Sequence, residues 1–404
     1  MGLPAERARV KEEDSRPLVL HLHTLPWIAG SGLNTFYSMK YLDPKRYRTA
    51  LACRPGGPLE ELVKKSGFAF HPIRHFRSEV SPYHDLAALV EVKRLLNSLR
   101  PALLHTHNSK AGFLGRLAAR KLPRLKVVHT VHGFAFHSRE TPLRRALFRF
   151  LERRAFPWAD ASIVISPALA AWAERAGIAP RTTFRVIWSG IEIESFRNAD
   201  REAGRQALGL SPETVAVGLV AKLWEGKGHE FLLRVLEQDL GADLKLVFVG
   251  TGPLEEYLRR IAGPNVIFTG HRDDIPRITA ALDLSVLPSD FEGMGRVLLE
   301  AQAAGVPVLA NRLGGMVDVV ADPDWLLPPR DEVAWRETIR RLVRDPDERR
   351  RRGEKGRAFV TERFSAKTMG KQIENIYDEV LGRKVSKNNH GTSTSFVPSV
   401  GDKV

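Results

Sequence analysis

LSVLPSDFEGMGRVLLEAQAAGVPVLA, residues 284–310, decides the fold. An apolar run ends at Pro288-Ser289-Asp290, and Gly293 and Gly295 frame a loop. A helical pattern then runs from about Arg296 to Ala304, and a second apolar run follows Gly305. Strand, loop, helix and strand in this order form the repeating unit of a parallel sheet wrapped by helices. The same alternation extends outward in both directions. Upstream, strands are expected in PLVLHLHTL (17–25), RTALACR (48–54), FAFHPIR (68–74), ALLHTHN (102–108), KVVHTVH (126–132), ASIVISP (161–167) and FRVIWSG (184–190). The second half repeats the scheme at 215–223, 244–250, 265–270, 284–289, 306–310 and 325–329. The expected fold class is α/β, with two doubly wound Rossmann-like domains facing a cleft. Ligands in such domains bind beyond the carboxyl ends of the strands, so the residues just after each strand are the candidates for chemistry.

The expected organisation is a first domain over 17–195 and a second over 200–365, with the helix 366–383 packing back on the first. Residues 1–16 and 384–404 are expected to be mobile ends, the latter rich in small polar residues. Between the domains IEIESFRNADREAGRQALGLSPET (191–214) reads as a weakly patterned linker. A chain of 404 residues can bury two such cores, and 43% hydrophobic with 27% charged residues excludes wholesale disorder. One cysteine, Cys53, cannot make an internal disulfide or a thiolate metal cluster, which fits a reducing compartment. Residues 1–16 carry both charge signs and no apolar stretch, unlike a secretory signal, and no run approaches 18 apolar residues. A cytoplasmic location is expected.

The net charge of +15 sits in the first half alone. Residues 1–200 hold 32 Lys+Arg against 17 Asp+Glu, whereas residues 201–404 hold 30 of each. Such asymmetry points to a polyanionic partner: nucleic acid, an anionic membrane surface or a phosphate-bearing substrate. The basic segments lack interleaved aromatics and any nucleic-acid-binding module, which argues against the first.

The loop after 284–289 carries the richest chemistry. A helix starting near Arg296 points its free N–H groups at whatever lies beyond Gly293, Met294 and Gly295. Glu300, one turn into that helix, is placed to accept hydrogen bonds from a ribose diol, and Glu292 is placed to reach sugar hydroxyls. An idle carboxylate at Glu300, among Val297, Leu298, Leu299 and Ala301, would be costly. In LVAKLWEGKGHEF, Lys222 and Lys227 flank the end of another strand, where two ammonium groups can neutralise a diphosphate; a pair of solvated lysines on a turn is the competing reading. Gly30, Ser31 and Gly32 follow the first strand and precede a helix, a weak signal of anion binding shared with any tight strand-to-helix turn.

Glu292 and Glu300, an E-x7-E pair with EGMG between, resemble the signature of the retaining family 4 glycosyltransferases of GT-B fold. Further matches are HTHNSKAGFLGRLAAR, HTVHGF, SGIEIESF, GKG, VGTGPL, PSDFEG and AAGVPVLA, spread over residues 17 to 383. The resemblance implies a nucleotide-sugar donor held mainly by the second domain. Lys222 and Lys227 would grip its diphosphate, Glu300 the ribose, and Glu292 with the 293–295 backbone the sugar. His132 of the His-Gly pair would stand near the reacting sugar. Where this chain has Lys222 the family more often has arginine, which keeps the charge and loses the bidentate grip. The implied chemistry is same-face attack, with the leaving phosphate taking the acceptor proton and with no metal and no cofactor.

His105, His107, His129 and His132 cluster at two strand ends, and a zinc or manganese site is one reading of them. No carboxylate or cysteine accompanies them, so none is expected; His105 and His129 read as core or supporting histidines. TPLRRALFRFLERRAF (141–156) reads as a basic amphipathic helix, with Leu143, Leu147, Phe150 and Leu151 on one side. It suits either an anionic bilayer or a stripe packed on the body with its arginines solvated, and the basic first half favours the former, so peripheral contact with the inner face of an anionic membrane is expected. The expected activity is hexosyl transfer, from a UDP-sugar in preference to a GDP-sugar, to a lipid-linked or glycan acceptor in polysaccharide or lipopolysaccharide assembly. A sugar-nucleotide 2-epimerase of the same architecture is the alternative.

Overall fold

The computed structural model describes residues 14–136 and 140–384. The ends expected to be mobile lie outside the described residues apart from 14–16 and 384. Two sheets, parallel throughout, account for the strands. The first comprises β1 (Leu18–Leu22), β2 (Arg48–Cys53), β3 (Ala69–Pro72), β4 (Leu103–His107), β5 (Lys126–Val131), β6 (Ala161–Val164) and β7 (Arg185–Val186), in the order β3-β2-β1-β4-β5-β6-β7. The second comprises β8 (Val215–Val220), β9 (Leu244–Val249), β10 (Val266–Phe268), β11 (Leu284–Leu287), β12 (Val308–Asn311) and β13 (Leu326–Leu327), in the order β10-β9-β8-β11-β12-β13. Helices cover both faces of each sheet, which is why strands such as VAVGLV and LKLVFV are apolar almost throughout instead of alternating. In each sheet the chain reverses its direction of travel beside the first strand, at β1/β4 and at β8/β11. Crevices open at such switch points.

The last described helix, Ala366–Val380, crosses back to the first domain. Met369, Ile373 and Tyr377 join Phe36, Leu51 and Val128 in one buried cluster. Arg46 pins the helix with hydrogen bonds to Glu374 at 2.7 Å and Asp378 at 2.8 Å, and the Tyr47 hydroxyl donates to Asp378. Both carboxylates are buried, so these ion pairs hold the helix in one register.

The segment 191–214 is not the loose linker that its polarity suggests. It forms two short helices, Ile193–Arg197 and Arg201–Ala207, and Ile193, Phe196, Leu208 and Leu210 are buried with the second domain's core. Arg205 is the reason that so polar a stretch packs. Its guanidinium bonds Asp283 at 3.0 Å and the carbonyls of Ser211, Thr214 and Ala281, so a buried charge satisfies backbone acceptors that the turns leave open.

Candidate active site

The turn after β11 is built around glycine. Gly295 has φ of 71°, the left-handed region, and directly precedes the helix Arg296–Ala303. A Cβ on Gly293 would run into the His132 carbonyl, and the Gly293 carbonyl accepts from the Ser166 hydroxyl at 3.0 Å. The turn is therefore pressed against the first domain. The Met294 side chain, expected beside the donor, points into the core at 3% exposure, so only its backbone is available to a ligand.

Beyond that turn a cleft of about 570 Å³ separates the domains. Gly30 and Tyr37 line it from the first domain, and Lys222, Lys227, Glu292, Gly295 and Glu300 from the second. The helix on the first-domain side begins at Gly30 itself, so Gly30, Ser31 and Gly32 form its first turn and not a loop before it. Gly32 is there for packing, because a Cβ would collide with the Trp27 carbonyl. Ser31 opens on an adjoining hollow of about 280 Å³ shared with His23, Asn108 and Lys222.

The charges in the cleft are already paired with one another. Lys227 Nζ lies 2.6 Å from Glu292 Oε1. Glu300 Oε1 accepts from Arg296 Nε at 2.9 Å, and Arg296 also donates to the Gly190 carbonyl at 2.8 Å. In the sequence Arg296 marks only the start of a helix, and its i, i+4 spacing to Glu300 is the signal of this pair. Burial pushes the Glu300 carboxyl above its ordinary range against the pull of Arg296. Lys222 is different: its ammonium sits 4.9 Å from the Trp224 ring centroid, and burial together with the Lys227 charge holds its pKa below the usual lysine value. An anion entering beside Lys222 and Lys227 would relieve both effects.

The first-domain histidines divide by strand face. In register, His21 of β1 pairs with His105 of β4, while His129 of β5 pairs with Thr106. His21, His105 and His107 therefore share the face covered by the helix Ala366–Val380, where Tyr377 bonds His105 Nδ1 at 2.5 Å. His129 faces the other way and bonds Thr106, a core role. His21 and His23 were missed in the sequence, although H-x-H in β1 repeats the pattern of β4. His23 Nδ1 donates to the Leu25 carbonyl at 2.8 Å, leaving Nε2 to accept from Asn108 at 2.8 Å. Burial pushes His23 down to about 4 and His132 down to about 3, so both are neutral near pH 7.

In the helix Pro142–Ala155 the buried residues are Glu152 and Ala155, and the apolar side chain that packs partly against the core is Phe148. Leu143 is 81% and Phe150 57% exposed. Glu152 makes a buried ion pair with Arg116 at 2.9 Å, and that pair anchors the helix. Leu143, Leu147 and Phe150 therefore do not pack on the body, whereas Leu151 is half-buried. Arg153 is also not free, since its Nε donates to the Ala176 carbonyl at 2.7 Å.

Two Rossmann-type domains with their switch points facing one charged cleft constitute the GT-B architecture. The family model Glycosyltransferase Family 4 matches residues 28–195, and Glycosyl transferases group 1 matches residues 214–345. The chain belongs to the group 1, family 4 glycosyltransferases. It is 29% identical to the Escherichia coli UDP-Gal:alpha-D-GlcNAc-diphosphoundecaprenol alpha-1,3-galactosyltransferase over 76% of this chain and 82% of that one. A GDP-mannose-dependent monoacylated alpha-(1-6)-phosphatidylinositol monomannoside mannosyltransferase of Corynebacterium glutamicum is 34% identical over 48% of this chain and 56% of its own. Among solved structures, Anabaena Alr3699/HepE in complex with UDP and glucose superposes with a TM-score of 0.78 at 21% identity, covering 90% of this chain and 100% of that one.

Proposed function

We propose that the protein is a retaining glycosyltransferase that moves a hexosyl unit from a nucleotide sugar to a lipid-linked or glycan acceptor in polysaccharide or glycolipid assembly. The observation that carries the reading is the convergence of Lys222, Lys227, Glu292 and Glu300 on one interdomain cleft. In this account Lys222 and Lys227 neutralise the diphosphate, the Gly30 helix start adds its free N–H groups, and Glu300 holds the ribose. Glu292, released from Lys227 as the phosphate takes that lysine over, supports the donor sugar as positive charge develops on it. The acceptor hydroxyl attacks from the face the diphosphate leaves. The bond from the anomeric carbon to the diphosphate oxygen breaks, the acceptor oxygen bonds that carbon, and the acceptor proton passes to the departing oxygen. Lysines in the place of a cation make the transfer independent of metal.

A UDP-sugar is favoured as donor, as for the E. coli relative, whose alignment spans most of both chains. That relative's name specifies a lipid-diphosphate acceptor, and the basic excess of the first half suits such an acceptor here. Exposed Leu143 and Phe150 beside Arg144, Arg145 and Arg149 support peripheral contact with an anionic membrane. Among the described residues no helix is long and apolar enough to cross one. The test is nucleotide release from a panel of UDP- and GDP-sugars, with and without a prenyl-diphosphate-linked sugar. Release that rises with the acceptor, and a product of retained anomeric configuration, is the expected result. Conversion of the donor to its 2-epimer without acceptor, or a product of inverted configuration, would reject the reading.

A further inference from the structure

Three imidazoles run in series from the Gly293 turn, which borders the cleft, into the first domain. His132 Nε2 lies 3.2 Å from His107 Nδ1, and His107 Nε2 lies 3.1 Å from His21 Nδ1. Ring centroids 5.5 and 5.4 Å apart, close to the nitrogen–nitrogen distance plus two ring radii, keep these contacts near the ring planes, as hydrogen bonds between ring nitrogens require. His21 and His107 are fully buried. The outer end, His132, stands where its own carbonyl meets the Gly293 turn. At the inner end, His21 Nε2 is buried without a partner.

Counting protons limits what the series can be. Three neutral rings carry three N–H protons, and each of the two inter-ring contacts needs one. His107 has a single proton, so it must donate to one neighbour and accept from the other. Only two arrangements survive. In the first, His21 Nδ1–H donates to His107 and His107 Nδ1–H donates to His132, which then keeps its proton on Nδ1. In the second, every bond is reversed, His132 Nδ1 is bare and an N–H is stranded on buried His21 Nε2. A stranded buried N–H is the rarer defect in proteins, which favours the first arrangement. Burial supports three uncharged rings, holding His21 and His132 down to about 3 and His107 well below its ordinary value.

We propose that His107 and His21 are positioning residues that lock His132 as the neutral Nδ1–H tautomer, so that it meets the donor sugar as a hydrogen-bond donor and never as a base. The proposal rests on the reading of the cleft as a donor site only for its consequence; the tautomer itself belongs to the free protein. The lock requires an element of each kind: register puts β1 and β4 side by side, and β5 ends in His132 one residue beyond the strand. His105, the neighbour of His107 on β4, is outside the series, with both nitrogens bonded to Tyr377 and Thr130. Ligand atoms of His21, His105 and His107 do lie within 4.8 Å of one another, and a metal held there would replace the same contacts.

The experiment is ¹⁵N NMR of the imidazoles in the ligand-free full chain, assigned with His132→Gln. The proton of His132 is expected on Nδ1 in the wild type. In His107→Leu it should move largely to Nε2, with kcat for sugar transfer falling at least tenfold and donor KM changing little. His107→Gln, whose amide can still donate to His132 Nε2, should restore both the tautomer and most of kcat. Parallel melting curves separate the lock from a fold defect, since a structural role alone would move the melting temperature without the tautomer. An Nε2–H His132 in the wild type, a tautomer unmoved in folded His107→Leu, or one equivalent of zinc in the purified protein would overturn the proposal. An Nδ1–H His132 in a chain that transfers no sugar would leave the lock standing and reject the donor site.

Discussion

Replacing Glu300 by glutamine is a sharp probe of the cleft, because it removes a charge while keeping the shape. In the free protein Oε1 is taken by Arg296 at 2.9 Å, which leaves Oε2 to accept from a ribose hydroxyl. Glutamine keeps a carbonyl oxygen for one of these partners and turns the other atom into a donor. A hydrogen bond to a charged group contributes about 1.5–3 kcal/mol, so UDP affinity should fall by roughly 10- to 150-fold. Stability should change little, since Arg296 retains the Gly190 carbonyl at 2.8 Å and the Tyr37 ring at 5.3 Å. Glu300→Ala should weaken UDP to a similar degree and also lower stability by about 1–3 kcal/mol, because unlike glutamine it leaves the largely buried Arg296 Nε–H without its acceptor. Titration calorimetry with UDP and urea unfolding read the two effects separately. Wild-type UDP affinity in a folded Glu300→Gln protein would refute the ribose role and leave Glu300 as a structural partner of Arg296.

Three other outcomes follow from the same geometry. Turnover should persist in excess EDTA, because Lys222 and Lys227 supply the positive charge; loss of turnover restored by a divalent ion would reject this. Acid should destabilise the fold: His229, buried against Phe248, is held down to about 4, whereas the unfolded chain takes that proton near pH 6.5. Its contribution is intact at pH 7 and is lost as pH falls through 6.5 toward 4, amounting to about 2 kcal/mol by pH 5, and His229→Leu should flatten that part of a urea-unfolding pH series. Reversing Arg144, Arg145, Arg149 and Arg154 to glutamate should abolish sedimentation with anionic vesicles and spare donor hydrolysis, with Arg153 kept because it braces Ala176. Vesicle binding that survives the reversal would confine the basic excess to other contacts.

The parallel α/β architecture was legible because strands buried on both faces advertise themselves as apolar runs, and even the two-residue strand Leu326–Leu327 falls within an expected one. The helix after Gly295 was legible through its glycines. What sequence could not show were pairings across distance. The tie of Lys227 to Glu292 joins residues 65 positions apart, and that of Arg205 to Asp283 joins residues 78 apart. The segment 191–214 read as a linker because its buried residues are few and its packing depends on Arg205, a charge that ordinarily marks a solvated surface. His21 escaped notice for a related reason: only parallel register sets β1 beside β4 and turns three separated histidines into one series.

The central claim is that the cleft between the sheets holds the diphosphate of a nucleotide sugar, and a crystal structure of the protein with UDP tests it most directly. The account predicts the diphosphate between Lys222 Nζ and Lys227 Nζ, the Lys227–Glu292 pair opened, and the ribose on Glu300. UDP bound instead in the hollow lined by Trp224, His229 and Arg330, with Lys227 still on Glu292, would contradict it.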